Sequence, residues 1–243
     1  MRGEESVMEG TGISAYEEFW QGSRDTLPLV LGAIPFGITC GVMGLAAGLS
    51  GGEMMLMSLT VFAGAAQFIS ITMFSAGVSG WGLYVFTTLL VNLRHLLMGA
   101  SLAPHMTRLP LAWQAVLAFG MADETYAVTM NRTLATGYHP NYHLGANLTM
   151  YIAWGASTAV GALAGSMIPN PLDWGLDFAM PATFLAMLIP RLKERRSLIV
   201  CIVSAVVALA GALWLPGKWY IIAAAAAAML AGGILEGGGT CAD

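Results

Sequence analysis

Trp81-Gly-Leu-Tyr-Val-Phe-Thr-Thr-Leu-Leu-Val-Asn-Leu-Arg-His-Leu-Leu-Met-Gly-Ala-Ser-Leu-Ala103 is an apolar run of bilayer length with a cation and an imidazole near its middle. About twenty such residues cross a hydrocarbon core as a helix, so the flanks of Arg94 belong in lipid and Arg94 itself does not. An arginine at that depth costs about 2.5–3.5 kcal/mol on insertion scales and persists where it is paired or lines a wet cavity. Asp123-Glu124 sits inside the next apolar run. Two clusters of opposite sign in consecutive runs mark a candidate site.

Working outward, the whole chain fits the same solvent. Of 243 residues, 57% are hydrophobic and only 10% charged, against about 25% charged in a soluble domain; the mean hydropathy is +0.70. Long apolar stretches recur from Thr26 almost to the end, which predicts an all-α, polytopic helical membrane protein rather than a barrel of short alternating strands. The net charge of −4 comes largely from Glu4, Glu5, Glu9, Glu17 and Glu18. That acidic stretch lacks the basic and apolar regions of a cleaved signal, and no basic surface points to nucleic acid. Cys40, Cys201 and Cys241 are scattered, without CxxC spacing, and read as small apolar fillers.

Hydropathy gives about seven or eight spans, roughly at 26–49, 53–76, 79–103, 110–130, 143–168, 174–190, 197–215 and 218–235. The third and sixth read as the ones that break or re-enter. This organisation makes 1–25 an acidic cytoplasmic tail, 26–235 a single membrane domain and 236–243 a short C-terminal tail. With eight crossings, Arg2, Arg24, Arg132, Arg191, Lys193, Arg195 and Arg196 fall on one side, and Arg108 and Lys218 on the other. The excess of basic residues places both termini in the cytoplasm, with the loop from Arg191 to Arg196 as the main anchor.

Gly37, Gly41, Gly44 and Gly48, and later Gly155, Gly161 and Gly165, form small-residue stripes that let helix backbones approach in lipid. Pro35-Phe36-Gly37 and Pro181-Ala182 punctuate the first and sixth spans. A mid-helix proline removes a backbone hydrogen bond, so Pro35, Gly37 and Pro181 are candidate helix breaks. Paired interruptions fit an inverted repeat around a midplane site; two ordinary proline kinks explain them equally well.

Arg94 and His95 lie about 100° apart on a helix, as do Asp123 and Glu124. The economical arrangement pairs one acid with Arg94 and leaves the other, with His95, facing a cavity. A guanidinium recognises carboxylates, and a desolvated acid exchanges protons near neutrality. A purely structural ion pair is the alternative. Gln67, in Ala63-Gly-Ala-Ala-Gln-Phe68, is a lone amide suited to a polar ligand or to an interhelical bond. Asn92 could satisfy backbone opened by a break in the third span. His139 and His143 have i, i+4 spacing but sit with Pro140 in a loop, so no metal site is expected. His95 and Ser101 face different ways, which removes a serine–histidine dyad. No glycine-rich phosphate loop is present, so no cofactor is expected and the protein reads as a non-enzyme.

Five segments in order carry a resemblance: Gly22-Ser-Arg-Asp-Thr-Leu-Pro28 before Ile34-Pro-Phe-Gly37; Ala63 to Phe68; Arg94-His-Leu-Leu-Met-Gly-Ala-Ser-Leu102; Phe119-Gly-Met-Ala-Asp-Glu-Thr-Tyr-Ala127; and Leu176-Asp-Phe-Ala-Met-Pro-Ala-Thr-Phe184. Over about Gly22 to Gly233 the chain resembles the AzlC/YgaZ family, large subunits of bacterial branched-chain amino acid exporters of the LIV-E type. The resemblance implies efflux of leucine, isoleucine and valine, with methionine in some members, across the bacterial inner membrane. It also implies a small membrane partner of the AzlD/YgaH type. Relatives can carry an acid where this chain has Asn92-Leu93, which leaves proton coupling to Asp123 and Glu124, with His95 beside them.

The combined expectation is a secondary exporter driven by proton antiport. Arg94, or the N-terminal end of a broken helix, would hold the substrate carboxylate, with Gln67 and Asn92 as further polar contacts. Asp123 or Glu124 would hold the ammonium group, and Phe36 and Phe68 would accept the aliphatic side chain. A passive channel, a non-transporting subunit of a membrane complex and a membrane-embedded enzyme are the rival readings.

Overall fold

The structure, a computed structural model, describes residues 14–167, 195–214 and 219–237, together with 185, 188, 189 and 192. All nine elements among them are helices: α1 (Ala15–Ala46), α2 (Gly51–Val61), α3 (Gly64–Ser75), α4 (Trp81–Met106), α5 (Leu111–Phe119), α6 (Asp123–Thr136), α7 (Pro140–Met167), α8 (Arg195–Trp214) and α9 (Trp219–Gly237). The helices α1, α4 and α8 and the segment Pro140–Ser166 of α7 are long and apolar enough to cross a membrane. This is an all-α membrane protein.

The frame is a parallel pair. At Gly41 a Cβ would come within 2.3 Å of the Thr158 carbonyl oxygen, and at Gly161 within 2.0 Å of that of Ile38. Only glycine allows backbones to meet so closely, and a second reciprocal contact joins Gly22 to Tyr142 and Gly145 to Phe19. Residues ascend together along both helices, so α1 and α7 run side by side in one direction. We call the end where they begin the lower end. Within the glycine stripes of the sequence, Gly41, Gly161 and Gly165 are therefore packing positions, whereas Gly48 lies past the end of α1 at φ 97°. Gly37 is a packing position too, since a Cβ there would lie 1.9 Å from the Ser157 hydroxyl.

Contrary to the sequence reading, α1 does not break at Pro35 or Gly37. It continues from Ala15 to Ala46 through both Pro28 and Pro35, and the Thr39 hydroxyl donates to the Pro35 carbonyl at 2.8 Å. Residues 15–25 form the first turns of α1 and pack on α7 through Gly22 and Phe19. The third span is also unbroken: α4 runs straight through Asn92, Arg94 and His95. Pro181, the sixth span around it and the Leu176–Phe184 segment lie outside the described residues, apart from single neighbours.

The breaks fall instead in the second and fourth apolar runs, and neither run crosses. A capping box formed by Ser50 and Glu53 starts α2, which descends along α7. Ser58 reaches Thr158 and the Tyr151 hydroxyl donates to the Leu59 carbonyl at 2.8 Å. The chain then reverses at Phe62, whose backbone is left-handed (φ 35°), and α3 climbs back. Phe68 and Ile71 pack on Met54, Cys40 and Met43, and Phe74 lies beside Gly48 at the upper end of α1. The α5–α6 pair does the same from the lower end. Leu117 of α5 packs with Leu102 and Met106 of α4, the chain turns at 120–122, and α6 descends until Arg132 meets Gln21 and Tyr142.

Two hairpins thus enter from opposite ends, each following a long helix. The unit α1–α2–α3 and the unit α4–α5–α6 have the same order and opposite direction, which is an inverted arrangement found elsewhere than at the expected proline pair. Non-helical backbone at membrane depth persists only where it is buried in protein or lines a cavity, and α7 supplies part of that burial. Tyr151 holds the carbonyl of Leu59, and the Asn147 amide donates to that of Leu117 at 2.8 Å. Each satisfies a carbonyl at the end of a half-helix that has no partner within the helix.

Re-entry also changes the charge tally. Arg108 follows the lower end of α4 and joins Arg24 and Arg132 at that end, whereas no lysine or arginine occurs between residues 25 and 93. The lower end carries a polar layer: Glu18 pairs with His139 at 2.7 Å, the Tyr142 hydroxyl donates to Asp25 at 2.7 Å, and Tyr138 meets His143 at 2.9 Å. His143 is a buried residue of α7 rather than a loop residue. Helices α8 and α9 pack on each other, with Ile202, Val206 and Leu209 exposed.

Candidate functional site

The hairpin tips, α1, α4 and α7 enclose a cavity of about 490 Å³, within the range of small-ligand sites. From α1 come Pro28, Leu29, Gly32, Ala33 and Phe36. The α2–α3 tip contributes Phe62, Ala63, Gly64, Ala65 and Phe68, and α4 contributes Arg94 and His95. Ala122, Asp123 and Glu124 come from the α6 tip, and Met150 and Trp154 from α7. The lining is mostly apolar, with its charge gathered at α4 and α6.

Both second half-helices begin at this cavity, so two helix N-termini, each carrying partial positive charge and free N–H groups, face one space. They differ in how those groups are met. At α6 the Thr125 hydroxyl accepts from the Ala122 N–H at 2.9 Å, and Asp123 and Glu124 occupy the first turn. At α3 the cap position is Ala63, which supplies no side-chain hydrogen bond, and the first turn holds no acid. The donors of Gly64 and Ala65 meet the cavity without a carboxylate nearby on their own helix.

Arg94 is the counter-charge of the α6 tip. Its Nη1 donates to the Asp123 Oδ2 at 2.5 Å, with the two side chains 34% and 20% exposed. Arg94 Nε is buried without a hydrogen-bond partner among the described residues. Glu124 lines the cavity with no hydrogen bond or ion pair to another described residue. Both acids line the cavity; Asp123 is engaged with the arginine and Glu124 is not.

Arg94, His95, Asp123, Glu124, Phe36 and Phe68, six of the residues singled out in the sequence, share this one cavity. Gln67 does not line it. It is fully buried: its Nε2 donates to the Ser58 hydroxyl at 2.9 Å and its Oε1 accepts from the Trp154 indole N–H at 2.9 Å. Asn92 is also outside the lining; with α4 unbroken, no opened backbone needs it there. Sequence reasoning missed Trp154 and the α3 backbone. A lone indole and a lone amide at membrane depth each need a hydrogen-bond partner, and that shared need was the available signal.

Fold and site together define a polytopic helical membrane protein of the broken-helix kind, with a solute-sized cavity where two opposed hairpins meet. Residues 28–168 match the family described as AzlC protein, and the chain belongs to the AzlC family. It is 31% identical to the Escherichia coli inner membrane protein YgaZ over 200 residues, covering 79% of this chain and 80% of that one. It is 26% identical to the Bacillus subtilis branched-chain amino acid transport protein AzlC over 219 residues, covering 88% and 85%. An uncharacterized membrane protein of Archaeoglobus fulgidus is 36% identical over 185 residues, 75% of this chain and 80% of that one. No solved structure matches the chain.

Proposed function

We propose that this chain is a secondary transporter that exports branched-chain amino acids, with proton antiport as its driving reaction and a small AzlD/YgaH-type membrane protein as its partner. The name of the Bacillus subtilis relative supports the substrate class. The observation that carries the reading is an uncapped, acid-free helix start and a carboxylate without a partner among the described residues, both lining one largely apolar cavity.

A zwitterion with an aliphatic side chain matches those three surfaces. Its carboxylate accepts from the first-turn N–H groups of α3, the use that broken-helix transporters make of half-helix N-termini. Arg94 stands close by but is engaged with Asp123, which makes the α3 start the better carboxylate site. Glu124 holds the ammonium group, and Phe36, Phe68 and Met150 receive the side chain. Protonation of Glu124 removes the attraction for the ammonium group, so a proton arriving at this carboxyl and an amino acid leaving it are coupled events. The gathering of Arg24, Arg108 and Arg132 at the lower end supports an orientation of that end, and of the N-terminus, toward the cytoplasm of the bacterial inner membrane.

The test is leucine flux in proteoliposomes holding the chain with its partner, with and without an imposed pH gradient. Accumulation driven by the gradient, and lost in Glu124→Gln, is the expected result. Leucine that only equilibrates in both conditions contradicts antiport, and no flux of any branched-chain amino acid contradicts the substrate.

A further inference from the structure

Trp154 lines the cavity, and Gln67, which does not, is bonded to it and ties it to α2 and α3. The indole N–H donates to Gln67 Oε1 at 2.9 Å. Gln67 Nε2 donates to Ser58 Oγ at 2.9 Å, and Ser58 Oγ donates to Thr158 Oγ1 at 3.2 Å, one helical turn beyond Trp154. Three helices are thereby closed into a ring of four side chains. Gln67 and Thr158 are 0% exposed and Ser58 is 1% exposed, so water does not substitute for a lost member. The opposite edge of the indole lies against the α3 start, where a Cβ on Gly64 would come within 2.8 Å of Cη2. One edge of the ring is pinned by a hydrogen bond and the other by backbone contact. Gly32 of α1 lines the same cavity as Trp154, and a Cβ there would meet nothing within 4 Å.

We propose that Trp154 is the wall that selects substrate side chains by size, and that Gln67 is a positioning residue that fixes the indole as that wall. This inference rests on the amino acid reading of the cavity. A pinned indole leaves a slot toward Gly32 and Phe36 that admits a branched aliphatic side chain and rejects an aromatic one. A mobile indole would yield to larger side chains. Removing the wall, or the bond that fixes it, relaxes selectivity in the same direction.

The experiment uses the purified full-length chain labelled with 5-fluorotryptophan, reading fluorine NMR alongside direct binding of leucine and phenylalanine. The Trp154 resonance is the one missing in Trp154→Phe. In Gln67→Leu that resonance shifts or broadens while the other tryptophans, which report folding, stay in place. The leucine-over-phenylalanine preference falls roughly tenfold or more, the scale on which a pocket discriminates small apolar differences. Trp154→Leu shows the same or a larger loss of preference. Ser58→Ala, a milder change in the same ring, moves both readouts the same way and serves if Gln67→Leu does not fold. A Trp154 resonance and a preference that stay unchanged in both Gln67→Leu and Ser58→Ala overturn the positioning role. Equal weakening of leucine and phenylalanine by Trp154→Leu overturns the selecting role. A wild-type chain that binds neither amino acid overturns the reading of the cavity itself, and with it the wall as a selector; that result is distinct from leucine binding with unaltered preference.

Discussion

The α2–α3 hairpin reaches the cavity with an α3 start that has neither a side-chain cap nor an acid, whereas the α5–α6 hairpin arrives with Asp123 and Glu124 in its first turn and Thr125 closing its cap. The means of holding each tip differ to match. A buried neutral ring through Gln67 and Trp154 steadies the first, and an ion pair to Arg94 steadies the second. Two backbones of the same shape therefore present opposite charge to one space. A bare helix N-terminus attracts anions, and one carrying two carboxylates, only one of them paired with arginine, attracts cations. Under the proposed function, the unequal tips of the opposed hairpins would meet the two ends of a zwitterion, the carboxylate at the bare helix start and the ammonium group at Glu124.

The largest effect expected from breaking this contrast is at Glu124. Glu124→Gln keeps the size and removes the charge, and leucine affinity should fall roughly 100-fold or more, as when one member of a desolvated charge pair is lost. Thermal stability should hardly change, because Glu124 pairs with no other described residue. Calorimetric titration beside a melting curve separates the two readouts. Asp123→Asn should give the reverse emphasis. It leaves Arg94 half-buried without its carboxylate, at a cost of about 1.5–3 kcal/mol for a charged hydrogen bond, seen as a lower melting temperature and a smaller loss of leucine binding. Equal effects of the two substitutions on binding and stability would erase the division of labour between the acids. The smallest effect belongs to Thr125→Val, which removes the hydroxyl at the α6 cap. Loss of a cap costs about 1 kcal/mol, measurable as a modest shift in unfolding with leucine binding retained. No equivalent loss is available at α3, where Ala63 has no cap to remove.

Much of this was written in the sequence, but unevenly. The long helices α1, α4 and α7 stood out as apolar runs, and the glycine stripes announced the close α1–α7 contact because small residues at helical spacing have few other uses in lipid. The two hairpins did not stand out. Hydropathy records how apolar a stretch is and not whether it turns back, so 53–76 and 110–130 read as crossings. The reversal at Phe62 uses a left-handed residue that is neither glycine nor asparagine, which leaves no local signal. At α6 the signal existed, since paired acids at a helix start favour the dipole, yet Asp123 and Glu124 drew notice only as charges. The cavity's side chains were legible for a related reason: Arg94, Asp123 and Glu124 are too costly at that depth to be idle. The backbone donors at Gly64 and Ala65 were not, because every non-proline residue carries an N–H and only the fold shows which ones are left open.

Whether the α3 start binds the substrate carboxylate, as proposed, is decided by Ala65→Asp. Ala65 lines the cavity in the first turn of α3, where an aspartate suits the helix dipole and should leave the chain folded. Binding of leucine and of leucinamide, which lacks the carboxylate charge, would be measured on wild type and variant. The variant should lose leucine and keep or gain leucinamide. An Ala65→Asp chain that binds leucine as tightly as wild type would contradict the proposed carboxylate site.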